Sequence, residues 1–134
     1  PVRSRVSDDD AKTRRVMASE LSIDPVVGWL VCVEGVEKGN DYRIFSEKNF
    51  IGRSSRMHIS IKGDRTISRD KHAILSFNPR NNSYKIQPGE SSGIVYLNGR
   101  EVDVPMDLKE YDVIELGKTR LLFVPLCGKG FQWS

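Results

Sequence analysis

The fold is decided by residues 72–102, which read HAILSFNPRNNSYKIQPGESSGIVYLNGREV. Short runs of β-branched, aromatic and aliphatic residues alternate here with clusters of Asn, Pro, Gly and Ser, the residues that favour tight turns. The pair Asn98-Gly99 lies between two such runs and is the strongest short-range signal for a hairpin with a type I′ turn. This stretch therefore predicts consecutive β-hairpins.

The same alternation of strand and turn signals extends from Gly28 to Val124. The predicted strands are residues 29–34, 41–45, 49–52, 58–61, 72–78, 83–87, 94–97, 100–102, 112–116 and 120–124. No segment in this region sustains an apolar period of 3.6 residues, so we predict no helix there. About ten strands at such close spacing predict an all-β fold, a sandwich or a barrel.

Composition bounds the domain organisation. With 134 residues and 38% hydrophobic content, the chain can bury one core but not two of ordinary size. Residues 1–24 balance five basic against five acidic residues and hold few large apolar side chains. We therefore predict a flexible or transiently helical tail over residues 1–24, with any helix near 11–21, and a folded domain over 25–134.

Several other classes of protein are disfavoured. No apolar run reaches the roughly 18 to 20 residues that span a bilayer, and the N-terminus lacks a signal-peptide pattern. We expect no membrane span and a cytoplasmic location. Cys32 and Cys127 lack metal or redox spacing, which favours reduced thiols over a disulfide, and the two histidines have no carboxylate at ligand spacing. We predict no metal site.

Basic residues are concentrated between positions 53 and 71, in a chain whose formal net charge is +3. Two anions, Asp64 and Asp70, stand there against six cations, which are Arg53, Arg56, Lys62, Arg65, Arg69 and Lys71. A guanidinium is permanently charged and can bind two phosphate oxygens at once, so Arg53 is the candidate phosphate anchor. Gly52 allows close backbone approach or a positive φ beside it.

Simpler interpretations exist for each feature taken alone. A Gly-Arg pair is compatible with an ordinary strand end, and loop cations are usually solvated. His72, at the head of an apolar run, is more typical of a structural histidine than of a catalytic one. Asn98-Gly99 requires no function beyond a turn.

Taken in order, Gly52-Arg53, Ser68, His72 and Asn98-Gly99 resemble the forkhead-associated (FHA) domain, a reader of phosphothreonine peptides. The resemblance covers roughly residues 28–124. It implies an eleven-strand β-sandwich with recognition loops at one end, no cofactor and no enzymatic activity. The sequence agrees, since it contains no P-loop, plausible catalytic triad or paired carboxylates in an apolar setting.

The resemblance also implies roles for individual residues. Those expected to bind the phosphopeptide are Arg53, Ser54, Ser68, Arg69, Ser92, Gly93 and Asn98, and those expected to support the site are Gly52, His72 and Gly99. In the family this histidine braces the recognition loops. Two departures are visible: three residues separate Ser68 from His72 where the family usually has two, and the segment 91–98 is one residue longer with Ser where Asn is common.

Thr13 is a candidate phosphorylation site in the tail. It follows Asp8, Asp9 and Asp10 and precedes Val16 by three positions, where many FHA domains read side-chain identity. Some bacterial FHA proteins are switched by a phosphothreonine in such a tail. We therefore predict that phospho-Thr13 occupies the site in cis or links molecules in trans, with a plain unmodified linker as the simpler alternative.

The resulting hypothesis is a non-catalytic phosphothreonine-binding module in kinase-dependent signalling. Its expected partners are a phosphothreonine protein or its own tail, with a Ser/Thr kinase upstream and no small-molecule substrate. A phosphate-independent interaction scaffold is the alternative. Nucleic-acid binding is disfavoured, because the basic stretch lacks interleaved aromatic residues and a net charge of +3 is modest for neutralising a phosphate backbone.

Overall fold

The computed structural model describes residues 24–133. The predicted tail, including the stretch 11–21 and Thr13, lies outside the described residues except for Asp24. Among residues 24–133 the chain forms strands and turns only, and no helix there has the length and apolar character needed to cross a membrane. The predicted all-β class is confirmed.

Eleven strands form within the described part of the chain. They are β1 (Gly28–Glu34), β2 (Asp41–Ile44), β3 (Glu47–Gly52), β4 (Ile59–Ser60), β5 (Ala73–Asn78), β6 (Ser83–Pro88), β7 (Val95–Leu97), β8 (Arg100–Glu101), β9 (Met106–Asp107), β10 (Val113–Leu116) and β11 (Thr119–Pro125). All ten predicted strands are present, and their ends lie within two residues of those predicted. The sequence analysis missed β9, because two residues are too few to show a strand period.

The strands form two sheets, which confirms the predicted sandwich. One sheet has six strands in the order β2-β1-β11-β10-β7-β8, and the other has five in the order β4-β3-β5-β6-β9. Neighbouring strands are antiparallel where their registers are defined, apart from the parallel pair β3 and β4. The long central strands β1, β11, β3 and β5 therefore form the framework from which the loops project.

The core lies between the sheets and is lined by alternate residues of strands such as β1 and β11. Leu121 and Phe123 of β11 are fully buried, as are Ile51 of β3 and Leu75 of β5. Phe123 makes an edge contact with the ring of Tyr84 at a centroid distance of 4.8 Å. Full burial of an aliphatic or aromatic side chain contributes roughly 1.5 to 3 kcal/mol, so this interdigitated layer holds the two sheets together.

The loops sort to two ends of the sandwich. One, here called the loop end, carries residues 35–40, 53–58, 61–72, 89–94 and 117–118, which hydrogen-bond or pack against one another. The other, here called the terminal end, carries turns 79–82 and 98–99 together with both ends of the described chain. Val27 shows this placement, since its backbone N–H bonds to Ile44 and its carbonyl accepts from Leu126.

The C-terminal segment packs on its own domain. The indole N–H of Trp133 donates to the Val26 carbonyl at 2.8 Å, and the Asn82 amide donates to Gln132 at 3.0 Å. Trp133 also makes an edge contact with Phe131 at 5.0 Å between ring centroids. The two cysteines are buried and free, as the favoured interpretation predicted.

Tyr84 connects β6 with the segments near Val27 and Cys127, at the two ends of the described chain. This contact leads to a prediction about stability. Its buried hydroxyl donates to the Val27 carbonyl and accepts from the Cys127 backbone N–H at 3.0 Å. Tyr84→Phe should lower the free energy of unfolding by about 1 to 3 kcal/mol, because the buried Cys127 N–H loses its acceptor and the Val27 carbonyl keeps only the Leu126 N–H as a donor. Urea denaturation measures this loss.

Tyr111→Phe is the matched control, since the Tyr111 side chain is 61% exposed. It should change the free energy of unfolding by less than about 0.5 kcal/mol. Equal effects of the two substitutions would contradict the role given to the Tyr84 hydroxyl.

Candidate functional site

Arg53 begins the loop after β3 and is held from two directions by the loop that precedes β5. Its backbone N–H donates to the Ser68 carbonyl at 3.0 Å, and its side-chain Nε donates to the Ile67 carbonyl at 3.1 Å. The bond from Nε fixes the orientation of the guanidinium. Its two terminal nitrogens have no partner among the described residues. Such a restrained arginine can give both terminal nitrogens to one anion.

Gly52 is needed because another backbone segment lies against it. A Cβ atom at this position would sit 2.7 Å from the Arg69 carbonyl oxygen and 2.9 Å from the Met57 side chain. The sequence offered two reasons for a glycine at this position, close backbone approach and a positive φ. Close approach is the one that applies, because the φ of Gly52 is not positive. The close contact lets Ser54 N–H donate to the same Arg69 carbonyl at 2.8 Å.

His72 connects two loops through opposite sides of its ring. Its Nδ1 accepts the backbone N–H of Ser68 at 2.9 Å, and its Nε2 lies 2.9 Å from the Ile94 carbonyl oxygen. Because Nδ1 accepts and a carbonyl cannot donate, these contacts assign the proton to Nε2. The side chain is only 2% exposed. The histidine therefore lies behind the loop surface and acts on it through positioning.

The longer interval between Ser68 and His72 is accommodated locally. Lys71 adopts a positive φ of 45°, a conformation uncommon for residues other than glycine, and turns the chain into β5. Ser68 still reaches His72 through its N–H bond, so the extra residue does not separate the two. The hydroxyl of Ser68 has no partner within residues 24–133.

Gly93 lies directly on the Ser68–His72 pair. A Cβ atom built on it would stand 2.5 Å from His72 Cε1 and 2.7 Å from Ser68 Oγ. Its neighbour Ser92 is exposed, and Ser91 Oγ accepts the Gly93 N–H at 3.2 Å. The loop 89–94 thus brings Gly93 against Ser68, with the exposed Ser92 next to it in the chain.

The charges of the basic stretch divide into paired and unpaired groups. Arg56 is paired with both oxygens of Asp70 at 2.9 and 3.0 Å, and Lys71 lies 3.4 Å from Glu90 and 4.6 Å from the centre of the Phe50 ring. Arg53 and Arg69 have no carboxylate partner in the described part of the chain. Together with the Ser68 hydroxyl they leave a set of donors that suits an anion.

Asn98 and Gly99 do not join this cluster. They form the turn between β7 and β8, with φ values of 51° and 84°. The Asn98 amide donates to Asp112 at 3.0 Å and its oxygen accepts from Val113 N–H at 2.9 Å, which fixes it at the terminal end of the sandwich. The predicted hairpin turn is present. The Asn98 side chain, however, bonds to Asp112 and Val113 and does not contact the loops that hold Arg53 and Ser68.

Asp64 is an important residue that the sequence analysis did not single out. Its carboxylate is only 5% exposed and accepts from Thr66 N–H at 2.8 Å, Lys118 N–H at 3.1 Å and the Thr119 hydroxyl at 2.7 Å. It also accepts from the Thr66 hydroxyl. The spacing Asp-x-Thr, typical of a side chain that bonds the backbone two residues on, was the available signal.

The charge of Asp64 is stabilised despite its burial. Burial by itself raises the pKa of this carboxyl, but the hydrogen bonds from Thr66, Thr119 and Lys118 outweigh it, so the pKa lies below its ordinary value. The ionised group therefore ties the loop 61–72 to the turn between β10 and β11.

The described residues contain no group of three metal-ligating side chains.

Comparisons with known proteins identify the family. The FHA domain matches residues 49–117, just over half of the chain, and no catalytic domain was detected. No curated protein matches the chain. The FHA domain of an Arabidopsis thaliana hypothetical protein is 28% identical, with a TM-score of 0.67, and the match covers 79% of this chain and 91% of that one.

Two further solved structures share the fold. The FHA domain of the CT664 protein from Chlamydia trachomatis is 24% identical, with a TM-score of 0.66 over 75% of this chain and 99% of that chain. The N-terminal FHA domain of Rad53p from S. cerevisiae, in complex with a phosphothreonine peptide, is 14% identical, with a TM-score of 0.62 over 76% and 94%.

The Asp64 carboxylate generates a pH-dependent prediction. Asp64→Asn should destabilise the fold by about 1 to 3 kcal/mol near neutral pH, because an amide N–H₂ would face backbone and hydroxyl donors. A lowered folded-state pKa contributes stability above the unfolded value of about 4, and this contribution is lost as the pH falls through the folded value. The difference in the free energy of unfolding between the wild type and Asp64→Asn should therefore shrink below about pH 4.

Denaturation at pH 7, 5, 4 and 3 measures this effect. Asp70→Asn is the control, because Asp70 is a partly exposed partner of Arg56 and should change stability by less than about 1 kcal/mol. If the loss of stability caused by Asp64→Asn grew on acidification, the lowered pKa assigned to Asp64 would be refuted.

Proposed function

The chain belongs to the FHA family, and we propose that it is a non-catalytic module that binds phosphothreonine peptides in kinase-dependent signalling. The observation that carries the proposal is the guanidinium of Arg53, which is held through Nε by the Ile67 carbonyl with its terminal nitrogens unpaired. Such a group binds a phosphate or carboxylate through two oxygens at once, and a phosphate also carries the larger negative charge. The partner is a protein phosphorylated by a Ser/Thr kinase, and the expected location is the cytoplasm.

Each loop contributes a different part of the proposed site. Arg53, Ser68 and Arg69 bind the phosphate, and Ser54 borders it. Ser92 and Gly93 meet the peptide backbone. Gly52 and His72 position these groups, whereas Asn98 and Gly99, assigned to the site by the resemblance, are excluded from the proposed contacts because they form a turn at the terminal end.

The expected affinity follows from the number of charged contacts. A hydrogen bond to a charged group contributes roughly 1.5 to 3 kcal/mol. Two or three such bonds, supplemented by backbone contacts, approach the 8 kcal/mol or so that corresponds to micromolar binding. Neither Arg53 nor Ser68 alone would suffice.

We further propose that the tail supplies a ligand through phospho-Thr13. The described chain begins at the terminal end, so the tail has to pass the length of the sandwich, and the seven residues of β1 rise about 20 Å. Eleven residue steps separate Thr13 from Asp24, with a maximum span of about 36 to 40 Å. This reach allows closure in cis, although only with an extended chain, and equally allows exchange between two molecules.

Binding of the intact chain to peptides tests the reader function. Fluorescent peptides of residues 5–20, carrying phosphothreonine, phosphoserine or threonine at position 13, are titrated by anisotropy beside a mixed phosphothreonine library. We expect saturable binding that requires phosphothreonine and weakens at least tenfold in Arg53→Ala, the loss of about 1.4 kcal/mol or more.

Arg100→Ala is the matched control, since Arg100 is exposed in the hairpin at the terminal end. It should leave the affinity unchanged. Capture of a partner that survives Arg53→Ala would favour a phosphate-independent scaffold, and binding of random DNA or RNA that falls steeply with salt would favour a nucleic-acid protein.

Phosphorylation of the intact chain at Thr13 tests the tail proposal. A tethered ligand has an effective concentration in the millimolar range, so the phosphorylated chain should bind an added phosphothreonine peptide at least tenfold more weakly than the unphosphorylated chain. Multi-angle light scattering over a dilution series separates the two modes, because only exchange between molecules raises the mass with concentration. Unchanged peptide affinity after phosphorylation would refute self-binding.

A further inference from the structure

The outer face of the six-stranded sheet carries a set of apolar side chains that remain partly exposed to solvent. They are Trp29, Val31 and Val33 of β1, Val113 of β10, and Leu122 and Val124 of β11. We call these six residues the apolar face. β1 and β11 are therefore almost continuously apolar, a pattern typical of strands that are covered on both faces, whereas a solvated sheet face usually carries polar residues at alternate positions.

The strand registers place these side chains next to one another. Val31 of β1 is paired with Leu122 of β11, and Leu122 is paired with Val113 of β10. In the next row Trp29 is paired with Val124. Because the Cβ atoms of cross-strand partners lie about 4.5 to 5.5 Å apart, the apolar face is one continuous patch across three strands. Exposed apolar patches of this kind are typical of interaction surfaces.

The outer face of the five-stranded sheet is polar by comparison. One row of cross-strand partners runs from β3 to β9 and consists of Lys48, Ser76, Lys85 and Asp107. Two of them, Lys85 and Asp107, form an ion pair at 2.9 Å. The domain thus has one outer face that suits water and one that suits a protein partner.

Charged residues border the apolar face. On the side of the loop end, Arg120 of β11 lies between two carboxylates of neighbouring strands, Glu34 at 3.6 Å and Glu115 at 3.8 Å. On the two edge strands, Asp41 of β2 and Glu101 of β8 are exposed. An apolar centre with a polar rim is the usual anatomy of a protein–protein interface.

The strand order makes this surface complementary to itself. β11 and β10 are the central pair of the six strands. A twofold axis that runs parallel to the strands and between these two lays β11 of one copy over β10 of another, with the sheets about 10 Å apart. Leu122 and Val113 share one row, and Arg120 and Glu115 share the other. Leu122 of each copy then faces Val113 of the second copy, and Arg120 faces Glu115, so every contact occurs twice.

We propose that the apolar face binds the same face of a second copy of this chain about that twofold axis. Burial of apolar side chains supplies the attraction, and the contacts of Arg120 with Glu115 between copies fix the alignment. The inference does not depend on the proposed function. Rotation about an axis parallel to the strands keeps the strand direction, so both loop ends point the same way and a dimer carries two of the proposed phosphothreonine sites side by side.

The mass of the intact, unphosphorylated chain tests the inference. Multi-angle light scattering over a dilution series should show a mass that rises with concentration from one chain toward two. Phosphorylated tails are absent from this sample, so its mass is also the baseline for the phosphorylated chain. Val31→Thr combined with Leu122→Thr should weaken the association about tenfold or more, because hydroxyls enter the interface while threonine keeps a high β propensity.

Two charge reversals, Arg120→Glu and Glu115→Arg, test the alignment of the copies. Each variant alone places like charges opposite one another, so it should associate about tenfold or more weakly than the wild type at low salt. An equimolar mixture of the two should recover association to within about threefold of the wild type, because each variant supplies the charge that the other needs. The pairs within each chain stay broken in the mixture, so recovery reports a contact between copies.

Lys85→Glu is the matched control, since it reverses a paired charge on the outer face of the five-stranded sheet. It should leave the association unchanged. The effects of Arg120→Glu and Glu115→Arg should shrink at about 0.5 M salt, because exposed charges are screened there.

The contrary outcomes are specific. A wild type that keeps the mass of one chain up to its solubility limit overturns the inference and leaves the apolar face to another occupant, such as the tail. Dimers that persist in both the threonine and the charge variants overturn it as well, because they form through a different surface. If charge variants with the circular dichroism of the wild type fail to associate when mixed, the twofold arrangement is wrong. Binding of phosphothreonine peptides is measured separately, so the proposed function stands or fails independently.

Discussion

The buried ring of His72 is the contact on which the loop end depends. Each of its nitrogens bonds to the backbone of a different loop, to Ser68 N–H on one side and to the Ile94 carbonyl on the other. Because the ring is enclosed, water cannot replace either bond, and loss of one partner would leave a buried polar group unsatisfied. The distance between the two loops is therefore set by the width of one imidazole.

Close backbone packing extends this constraint to the rest of the site. Gly93 fits over the His72 ring only because it lacks a Cβ, and Gly52 fits over the Arg69 carbonyl for the same reason. Arg53 then finds the Ile67 and Ser68 carbonyls at bonding distance. Anion binding benefits from such an arrangement, since donors that are already oriented lose little freedom when the ligand arrives.

Electrostatic balance at the loop end is maintained by two kinds of acidic group. Asp70 and Glu90 neutralise exposed cations from outside, whereas Asp64 is buried and fixes the loop backbone. Within residues 24–133, the cations of the loop end without a carboxylate partner include Arg53 and Arg69, which lie on the loops that meet at Ser68.

The sequence by itself determined ten of the eleven strands and the all-β class, because alternating apolar residues and turn residues act over short distances. The sandwich and the family were predicted from the resemblance of the ordered motif to FHA domains. It also pointed to Arg53, Ser68 and His72, whose order along the chain is typical of the family. Only the tertiary structure decided which turns meet. Asn98 looked like a site residue but belongs to the terminal end, and Asp64 looked like a loop charge but is a buried link between loops 54 residues apart in sequence. Such contacts depend on the pairing of distant strands, which local sequence patterns do not encode.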